Sequence, residues 1–327
     1  MQIDRARRRV RLRDLETLVA VAQEGGMRKA ARLLHLSQPA VSKAMRELED
    51  ALGLQLLERS ARGVVPTNYG QALVRRSKGL IDDLQGALRE LAHIADPEAG
   101  EVRLGSMETL QAGLVGATVQ AQLSRHPRMR FTVESGQAPE LINHFLRQRH
   151  VDFVVARPLT LPLPPEVEGE PLFQDRLRVA VGLEHPFARR RRIGLADLVN
   201  ETWILSRNET MRESPVLQAF GAAGLEPPQR VVKTGSLNMR QNLLASGRFV
   251  TCVPHSLLPF ANARAHYRIL PIELPPWHTP TMILTLKGRT LEPAAAAFLG
   301  KLRELALPLV NRPVGSEGAG GTRSGRH

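Results

Sequence analysis

The sequence predicts an α/β chain in which an all-α N-terminal region precedes a two-lobed α/β C-terminal region. Three observations lead there. Apolar residues recur at helical spacings of three and four from Leu12 to Ile94. Short apolar runs alternate with helical stretches from Val102 to Ala306. The segment Asp96-Pro97-Glu98-Ala99-Gly100 divides the two patterns, as a hinge would. A length of 327 residues leaves room for about two domains.

The first helix is carried by Leu12, Leu15, Leu18, Val19 and Ala22, and Gly25-Gly26 stops it. A short second helix covers Met27–Leu34, its Ala30 and Ala31 small enough for another helix to approach closely. After a turn at His35-Leu36, Ser37 is a good N-cap for a third helix, and Pro39 falls in its first turn, where no intrahelical N–H bond is lost. Val41, Met45, Leu48 and Leu52 form its inner stripe. Gln38, Ser42, Lys43 and Arg46 cluster on its outer face. This is a helix-turn-helix pattern, whose second helix enters the DNA major groove. Gln pairs bidentately with adenine, Arg with guanine, and the Pro39 ring can pack on a thymine methyl group. Spacing alone leaves an ordinary three-helix bundle with a solvated polar face equally open.

The next stretch, Gly53 to Thr67, reads as two short strands around a turn at Arg62-Gly63. Such a wing brings Arg59 and Arg62 near the phosphates or into the minor groove, unless both are merely solvated. Thr67 can cap a long helix running to about Ile94. Its positions Leu73, Ser77, Leu80, Leu84, Ala87, Leu91 and Ile94 form an unbroken heptad seam, roughly 40 Å long at 1.5 Å per residue. A seam this regular pairs with another helix or packs on the protein's own body.

The formal net charge is +13, which points to an anionic partner, nucleic acid being the commonest. The surplus is +4 in residues 1–100 and +9 beyond, so bulk charge does not locate the site. Hydrophobic residues at 43% and charged residues at 24% exclude a disordered chain or a fibre. The single cysteine, Cys252, cannot form an internal disulfide. No apolar run reaches the ~18–20 residues of a membrane span. The basic start Met1–Arg9 is followed by no signal-peptide stretch, which points to the cytoplasm.

The run Ser37-Gln38-Pro39-Ala40-Val41-Ser42, then Leu48-Glu49, Leu52-Gly53, Glu58-Arg59, Gly63 and Pro66-Thr67, resembles the LysR-type transcriptional regulators, without gaps from about Leu12 to Gly70. The resemblance implies a winged helix-turn-helix at 1–66, a dimerising linker helix at 67–95, a hinge at 96–101 and an effector-binding domain at 102–310. By position, Gln38, Pro39, Ser42, Lys43 and Arg46 correspond to base-reading residues, and Arg59, Arg62 and Thr67 to backbone or minor-groove contacts. It also implies double-stranded promoter DNA, a small-molecule effector and RNA polymerase as partners, with dimers assembling to tetramers. One departure is Gly26-Met27-Arg28-Lys29, where relatives often carry a small hydroxyl residue and an aromatic. Cations at a helix N-terminus oppose its dipole; Arg28 and Lys29 make sense there if a phosphate sits beside them.

In the C-terminal region strands are expected at Val102–Gly105, Arg130–Glu134 and Asp152–Ala156, with helices at Leu110–Leu123 and Glu140–Gln148. A second unit runs from Arg176–Val181 through Glu201–Ser206 to Phe249–Val253. The chain then returns to the first with strands at Tyr267–Leu270 and Met282–Leu286 and a helix over Pro293–Ala306. The alternation argues for parallel sheets and a cleft between two lobes. Asp152 to Pro158, His185-Pro186-Phe187-Ala188 and Gly247 to Thr251 resemble the looser signatures of the family's periplasmic-binding-protein-like effector domain. By position, the stretches Ser106 to Thr109 and Gly136-Gln137, with Arg157, face Ser206 to Thr210 and Ser236 of the other lobe, and Ser106, Met107, Thr109, Gln137, Arg157, Ser206, Asn208, Thr210 and Ser236 are the candidates. Hydroxyls and helix N-termini suit carboxylate or phosphate groups, and Arg157 can pair with one, so a small anionic or hydroxylated metabolite is expected.

Other chemistry lacks a signature. A lone cysteine and the absence of a His-x-x-x-His helix with a glutamate give no zinc site, and no Gly-x-Ser-x-Gly elbow or phosphate-binding glycine loop is present. No cofactor, no metal and no enzymatic activity are expected. Cys252, inside the apolar run Phe249–Val253, reads as a buried strand residue, with redox sensing as the alternative. Arg189–Arg192 reads as a solvated loop and residues 311–327 as a disordered tail. A solute-binding protein would share the C-terminal architecture, but the basic N-terminal helices argue against it.

Overall fold

The computed structural model describes residues 8–60, 63–96, 98–260 and 267–310, without the side chains of Arg59, Ser60 and His93. Arg62, Pro97 of the expected hinge, and the 311–327 tail lie outside these residues. The chain divides into two compact units, Met1–Ala95 and Asp96–His327.

In the first unit, α1 (Leu12–Glu24), α2 (Met27–Leu33) and α3 (Gln38–Leu52) follow one another closely. The Asp14 carboxylate accepts the Arg11 N–H at 3.0 Å, and Gly25 closes α1 in the left-handed region (φ 65°). The Ser37 hydroxyl accepts the Ala40 N–H at 3.3 Å, capping α3 as its sequence predicts. Leu18, Val21, Ala30, Val41, Met45 and Leu48 make the core of the three helices.

The wing is the antiparallel pair β1 (Leu57–Ser60) and β2 (Gly63–Pro66). Three hydrogen bonds set its place. Glu49 Oε1 accepts the N–H groups of Leu56 (2.7 Å) and Leu57 (3.1 Å), tying α3 to β1. Val64 N–H donates to the Gly25 carbonyl at 2.9 Å. Gly63 has φ +119°, and a Cβ there would lie 2.4 Å from the same carbonyl oxygen, so only glycine fits this corner.

The linker helix α4 (Asn68–Ala95) starts under Thr67, whose hydroxyl accepts the Gly70 N–H at 3.1 Å. Leu73 packs on the three-helix core and Ser77 is fully buried. Beyond that point the seam is bare: Leu80, Leu84, Leu91 and Ile94 are 55, 44, 63 and 68% exposed, with Leu88 beside them at 57%.

The second unit holds two five-stranded sheets. The first has the order β4-β3-β5-β12-β6, from β3 (Glu101–Ser106), β4 (Arg130–Ser135), β5 (Phe153–Ala156), β6 (Val167–Phe173) and β12 (Thr281–Leu286). The second has the order β11-β7-β10-β8-β9, from β7 (Arg176–Gly182), β8 (Thr202–Leu205), β9 (Arg230–Lys233), β10 (Phe249–Pro254) and β11 (Tyr267–Pro276). Both sheets are mixed, which corrects the expectation of parallel sheets. In the first, β4, β3 and β5 are parallel while β12 runs against both its neighbours. In the second, β9, β8 and β10 are parallel while β7 runs against β10 and β11.

A further correction concerns residues 267–276. They do not return to the first lobe but pair with β7 as an antiparallel edge of the second. Their burial alternates, with Tyr267, Leu270, Ile272 and Leu274 inward, and a bulge between Ile269 and Glu273 resets the register. Of the two strands expected to return, β12 does so, and the helical residues 293–310 that follow it pack on the same sheet. Helical segments flank the sheets: Glu108–Leu110 (α5) continues through a wider π turn, Gln111–Val115, into α6 (Gly116–Arg125). Similarly α7 (Ala138–Glu140) widens into Leu141–Leu146. Then come α8 (Pro215–Ala222), α9 (Leu237–Ala245) and α10 (Pro293–Val310). Asp152 holds the first lobe from inside, accepting Arg103 Nη2 at 2.7 Å and Arg289 Nη2 at 3.0 Å.

Candidate nucleic-acid interface and ligand cleft

The helix α3 is split by burial. Val41, Met45 and Leu48 are buried, whereas Gln38, Pro39, Lys43 and Arg46 are exposed and Ser42 is half-buried. The outer face therefore carries an amide, a hydroxyl and two cations, with Lys43 Nζ 3.7 Å from Glu47. Arg28 and Lys29 are exposed in the first turn of α2, which has no acidic residue there. Arg59 pairs with Val64 across the wing through its backbone. Thr67 is committed inward: its hydroxyl donates to the carbonyl of Gln55 at 2.8 Å while capping α4. Its expected contact with DNA is thus left to its backbone or to rearrangement of that bond.

Between the lobes of the second unit lies a cavity of about 50 Å³. From the first lobe Met107, Glu108 and Thr109 reach it after β3, Gln137 at the start of α7, and Arg157 after β5. From the second lobe come Asp175, Ser206, Asn208, Glu209 and Arg240, and Thr281 contributes from the returning strand. Asn208 Nδ2 donates to Gln137 Oε1 across the gap at 2.9 Å. Of the expected residues, Met107, Thr109, Gln137, Arg157, Ser206 and Asn208 meet here.

Three do not line the cavity. The Ser106 side chain is fully buried, and its hydroxyl donates to the Val155 carbonyl at 3.1 Å, fastening β3 to β5. The Thr210 hydroxyl donates to the Arg207 carbonyl at 2.8 Å. The Ser236 hydroxyl caps α9, accepting the Met239 N–H at 3.2 Å. Each short hydroxyl found a backbone partner nearby before it could reach the cleft.

Glu108 and Glu209 lie inside the expected stretches 106–109 and 206–210, whereas nothing in the sequence reading pointed to Asp175 or Arg240. Arg240 Nη2 and Glu209 Oε2 form a buried ion pair at 3.0 Å. Arg240 Nη1 also donates to Thr251 Oγ1 at 3.0 Å and to the Cys252 carbonyl, and Glu209 accepts the Ser206 N–H at 2.6 Å. Burial works against the Arg240 cation, but Glu209, with Cys252 and Glu108 behind it, holds its pKa above the usual value. Asp175 accepts from both the N–H (3.1 Å) and the hydroxyl (2.5 Å) of Ser256. Burial nonetheless raises its pKa, and Ser256 and Arg157 only partly offset that. The sequence did carry one signal for Arg240: Leu237, Arg240 and Leu244 are spaced as one buried helix face.

Arg157 is the outlier. It is 8% exposed and its guanidinium lies 3.9 Å over the Trp277 ring. Its Nε has no hydrogen-bond partner, and among the described residues no ion pair is formed. Burial lowers its pKa despite the fields of Asp175 and Glu209. Cys252 is fully buried in β10 with its thiol pushed well above the usual range, first by burial and then by Glu209. Among the described residues no cluster of metal-binding side chains is present, and no helix is long and apolar enough to cross a membrane.

Comparison with known proteins places both halves. Residues 12–71 match the family described as bacterial regulatory helix-turn-helix protein, lysR family. Residues 95–306 match the LysR substrate binding domain. The chain is 30% identical to the HTH-type transcriptional regulator GbpR of Azospirillum brasilense, covering 90% of this chain and 86% of that protein. It is 29% identical to the DNA-binding transcriptional dual regulator OxyR of Escherichia coli strain K12, covering 76% and 80%. The solved structure of a full-length OxyR point variant from Pseudomonas aeruginosa shares the fold with a TM-score of 0.62 at 24% identity, covering 91% of this chain and 94% of that one. With a matched DNA-binding family over its first unit and a matched effector-domain family over its second, the chain belongs to the LysR family and is a DNA-binding transcriptional regulator with an effector-binding domain.

Proposed function

We propose that Gln38, Pro39, Ser42, Lys43 and Arg46 read bases in the major groove while Arg28, Lys29, Arg59, Arg62 and Thr67 hold the backbone or minor groove. Two copies pair through the bare part of α4 in the cytoplasm and present two wings to an interrupted palindrome. The observation that carries this reading is the row of exposed leucines on α4: a monomer gains nothing from showing them to water. Dimers associate to tetramers at the promoter, where RNA polymerase is the next partner. A small anionic or hydroxylated metabolite binds between the lobes. By preferring one lobe arrangement it shifts the geometry of the assembly and the bend of the DNA.

Footprinting the purified protein on the DNA upstream of its own gene, across a salt series, tests this. A protected, dyad-symmetric site that survives physiological salt is the expected result. Sequence-indifferent binding that vanishes with salt, followed by failure of a genome-wide operator selection, overturns it, because non-specific contact is mostly counterion release. A saturating cleft ligand that leaves both footprint and bend unchanged overturns the control step alone.

A further inference from the structure

The cavity holds its charges in two conditions. Arg240 and Glu209 are joined to each other, and the Asp175 carboxylate is bonded to Ser256 and to the Arg176 N–H. Arg157 and Glu108 also line the cavity, yet neither forms an ion pair or side-chain hydrogen bond among the described residues. They sit at matching places. Ser106 of β3 is in register with Val155 of β5, and Glu108 and Arg157 each follow two residues later. Neighbouring strands lie about 4.8 Å apart, so a half-exposed carboxylate and a buried guanidinium leave adjacent strand ends without pairing with each other.

Their surroundings restrict what can satisfy both. A buried guanidinium that rests on the Trp277 ring without a paired counter-ion is costly, and its planar fork is matched by a carboxylate. Three carboxylates, Glu108, Asp175 and Glu209, line the same cavity, so a second negative charge on the ligand would meet repulsion. Glu108 accepts, and a hydroxyl or ammonium group would satisfy it. Size also limits the choice: 50 Å³ is room for roughly four water-sized centres.

Resting on the reading of this cleft as the effector site, we infer that the ligand is a small monocarboxylic acid with a hydrogen-bond donor on its α-carbon. Its carboxylate meets Arg157 and its donor meets Glu108. The shared chemistry covers α-hydroxy and α-amino acids.

Calorimetric titration of the full-length protein with L-lactate, L-alanine, propionate, succinate and D-glucose tests the inference. Either L-lactate or L-alanine is expected to bind at least tenfold tighter than propionate and succinate, and whichever binds names the donor. Glu108→Gln, at a half-exposed position, is expected to shrink that tenfold preference toward unity while leaving the thermal midpoint of the free protein in place. Arg157→Gln is expected to abolish binding, and Arg157→Lys to restore part of it. Propionate or succinate binding as well as the donor-bearing acids overturns the inference, as does a preference that survives Glu108→Gln. Failure of both L-lactate and L-alanine at millimolar concentration also overturns it. If D-glucose alone binds, and Asn208→Ala removes that binding, the ligand class is wrong while the cleft remains the effector site.

Discussion

The two units depart from the usual division of apolar inside and charged outside in opposite directions. The N-terminal unit leaves leucines in water: five apolar residues along α4, from Leu80 to Ile94, are between 44 and 68% exposed. The C-terminal unit buries ions: Arg157, Asp175, Glu209 and Arg240 are each less than a tenth exposed. Either arrangement raises the free energy of the isolated unit, by uncovered apolar surface in one case and by desolvated charge in the other. On the function proposed above, the bare stripe is covered by a second apolar stripe and the buried ions face a small polar ligand.

The largest effect expected from breaking this pairing is on the stripe. Leu84→Glu with Leu91→Glu places four glutamates in a dimer seam but puts each into water in a single chain. Sedimentation should show monomers, and operator affinity should fall more than a hundredfold at fixed salt, while the helix content by circular dichroism stays unchanged. A variant that remains dimeric would show that the leucines serve another purpose.

Next in size is the buried pair. Arg240→Met leaves the Glu209 carboxylate buried without its cation and held only by the Ser206 N–H, an arrangement that costs about 3–5 kcal/mol. The double variant Glu209→Leu with Arg240→Met should lose much less, because no orphaned charge remains. Both tryptophans of the chain, Trp203 and Trp277, lie in the second unit, so urea unfolding followed by their fluorescence reports on that unit selectively. Equal losses in the single and double variants would mean that the pair is ordinary packing.

The same contrast explains what could be read in the sequence. The N-terminal unit follows local rules: the cap at Ser37, the stop at Gly25 and the seam of α4 depend on residues three or four apart. They were legible. Even there the Glu49 bonds to Leu56 and Leu57 were not, since they join residues seven and eight apart in a turn of no fixed pattern. The C-terminal unit depends on pairings over long separations. That β11 stays with β7 is decided by a register between residues about ninety apart, and an apolar run of four residues carries no record of its partner strand. The cleft residues after β3 and β5 were foreseen because strand ends are recognisable. Arg240 and its pairing with Glu209 were not legible, because their meeting rests on β8, β10 and α9 packing together. Ser106, Thr210 and Ser236 show the reverse error: hydroxyls beside a cleft are usually taken up by the backbone.

A smaller effect sharpens the comparison on the DNA side. Arg46→Ala removes an exposed guanidinium that no core contact needs, so stability should change by less than about 0.5 kcal/mol. If Arg46 reads a base, operator binding should weaken by about 1–3 kcal/mol and discrimination at one position should relax. If it touches only phosphate, affinity should drop across all sequences and the salt slope should fall by about one. Competition assays with single-base operator variants separate the two.

A pH effect of lesser size is expected from His185, again in the unit that buries polar groups. Its Nδ1 accepts the Phe187 N–H at 3.1 Å and its ring is almost fully covered. Burial lowers its pKa, and Glu201 at 3.7 Å only partly opposes this. The folded state therefore binds the proton more weakly than the unfolded chain. Stability should be fully present above the ordinary histidine value near 6.5 and should decline as pH falls below it, by at most about 1.4 kcal/mol per pH unit. Comparing urea midpoints of wild type and His185→Asn between pH 7.5 and 5.5 isolates the contribution. Parallel curves would refute it.

The smallest expected effect is none, and it concerns the buried cysteine. Cys252 is the chain's single cysteine, fully covered in β10 between β7 and β8. Peroxide reacts with the thiolate, and burial beside Glu209 keeps this group in the thiol form well above the usual range. Arg240 pulls the other way, but its hydrogen bond goes to the Cys252 carbonyl and its ion pair to Glu209. Ellman's reagent should therefore react at least a hundredfold more slowly with the native protein than with the urea-unfolded chain. Hydrogen peroxide at micromolar levels should leave the operator footprint unchanged. A fast native reaction, together with a peroxide-dependent footprint that Cys252→Ser abolishes, would make the strand residue a sensor and move the signal input from the cleft to the sheet.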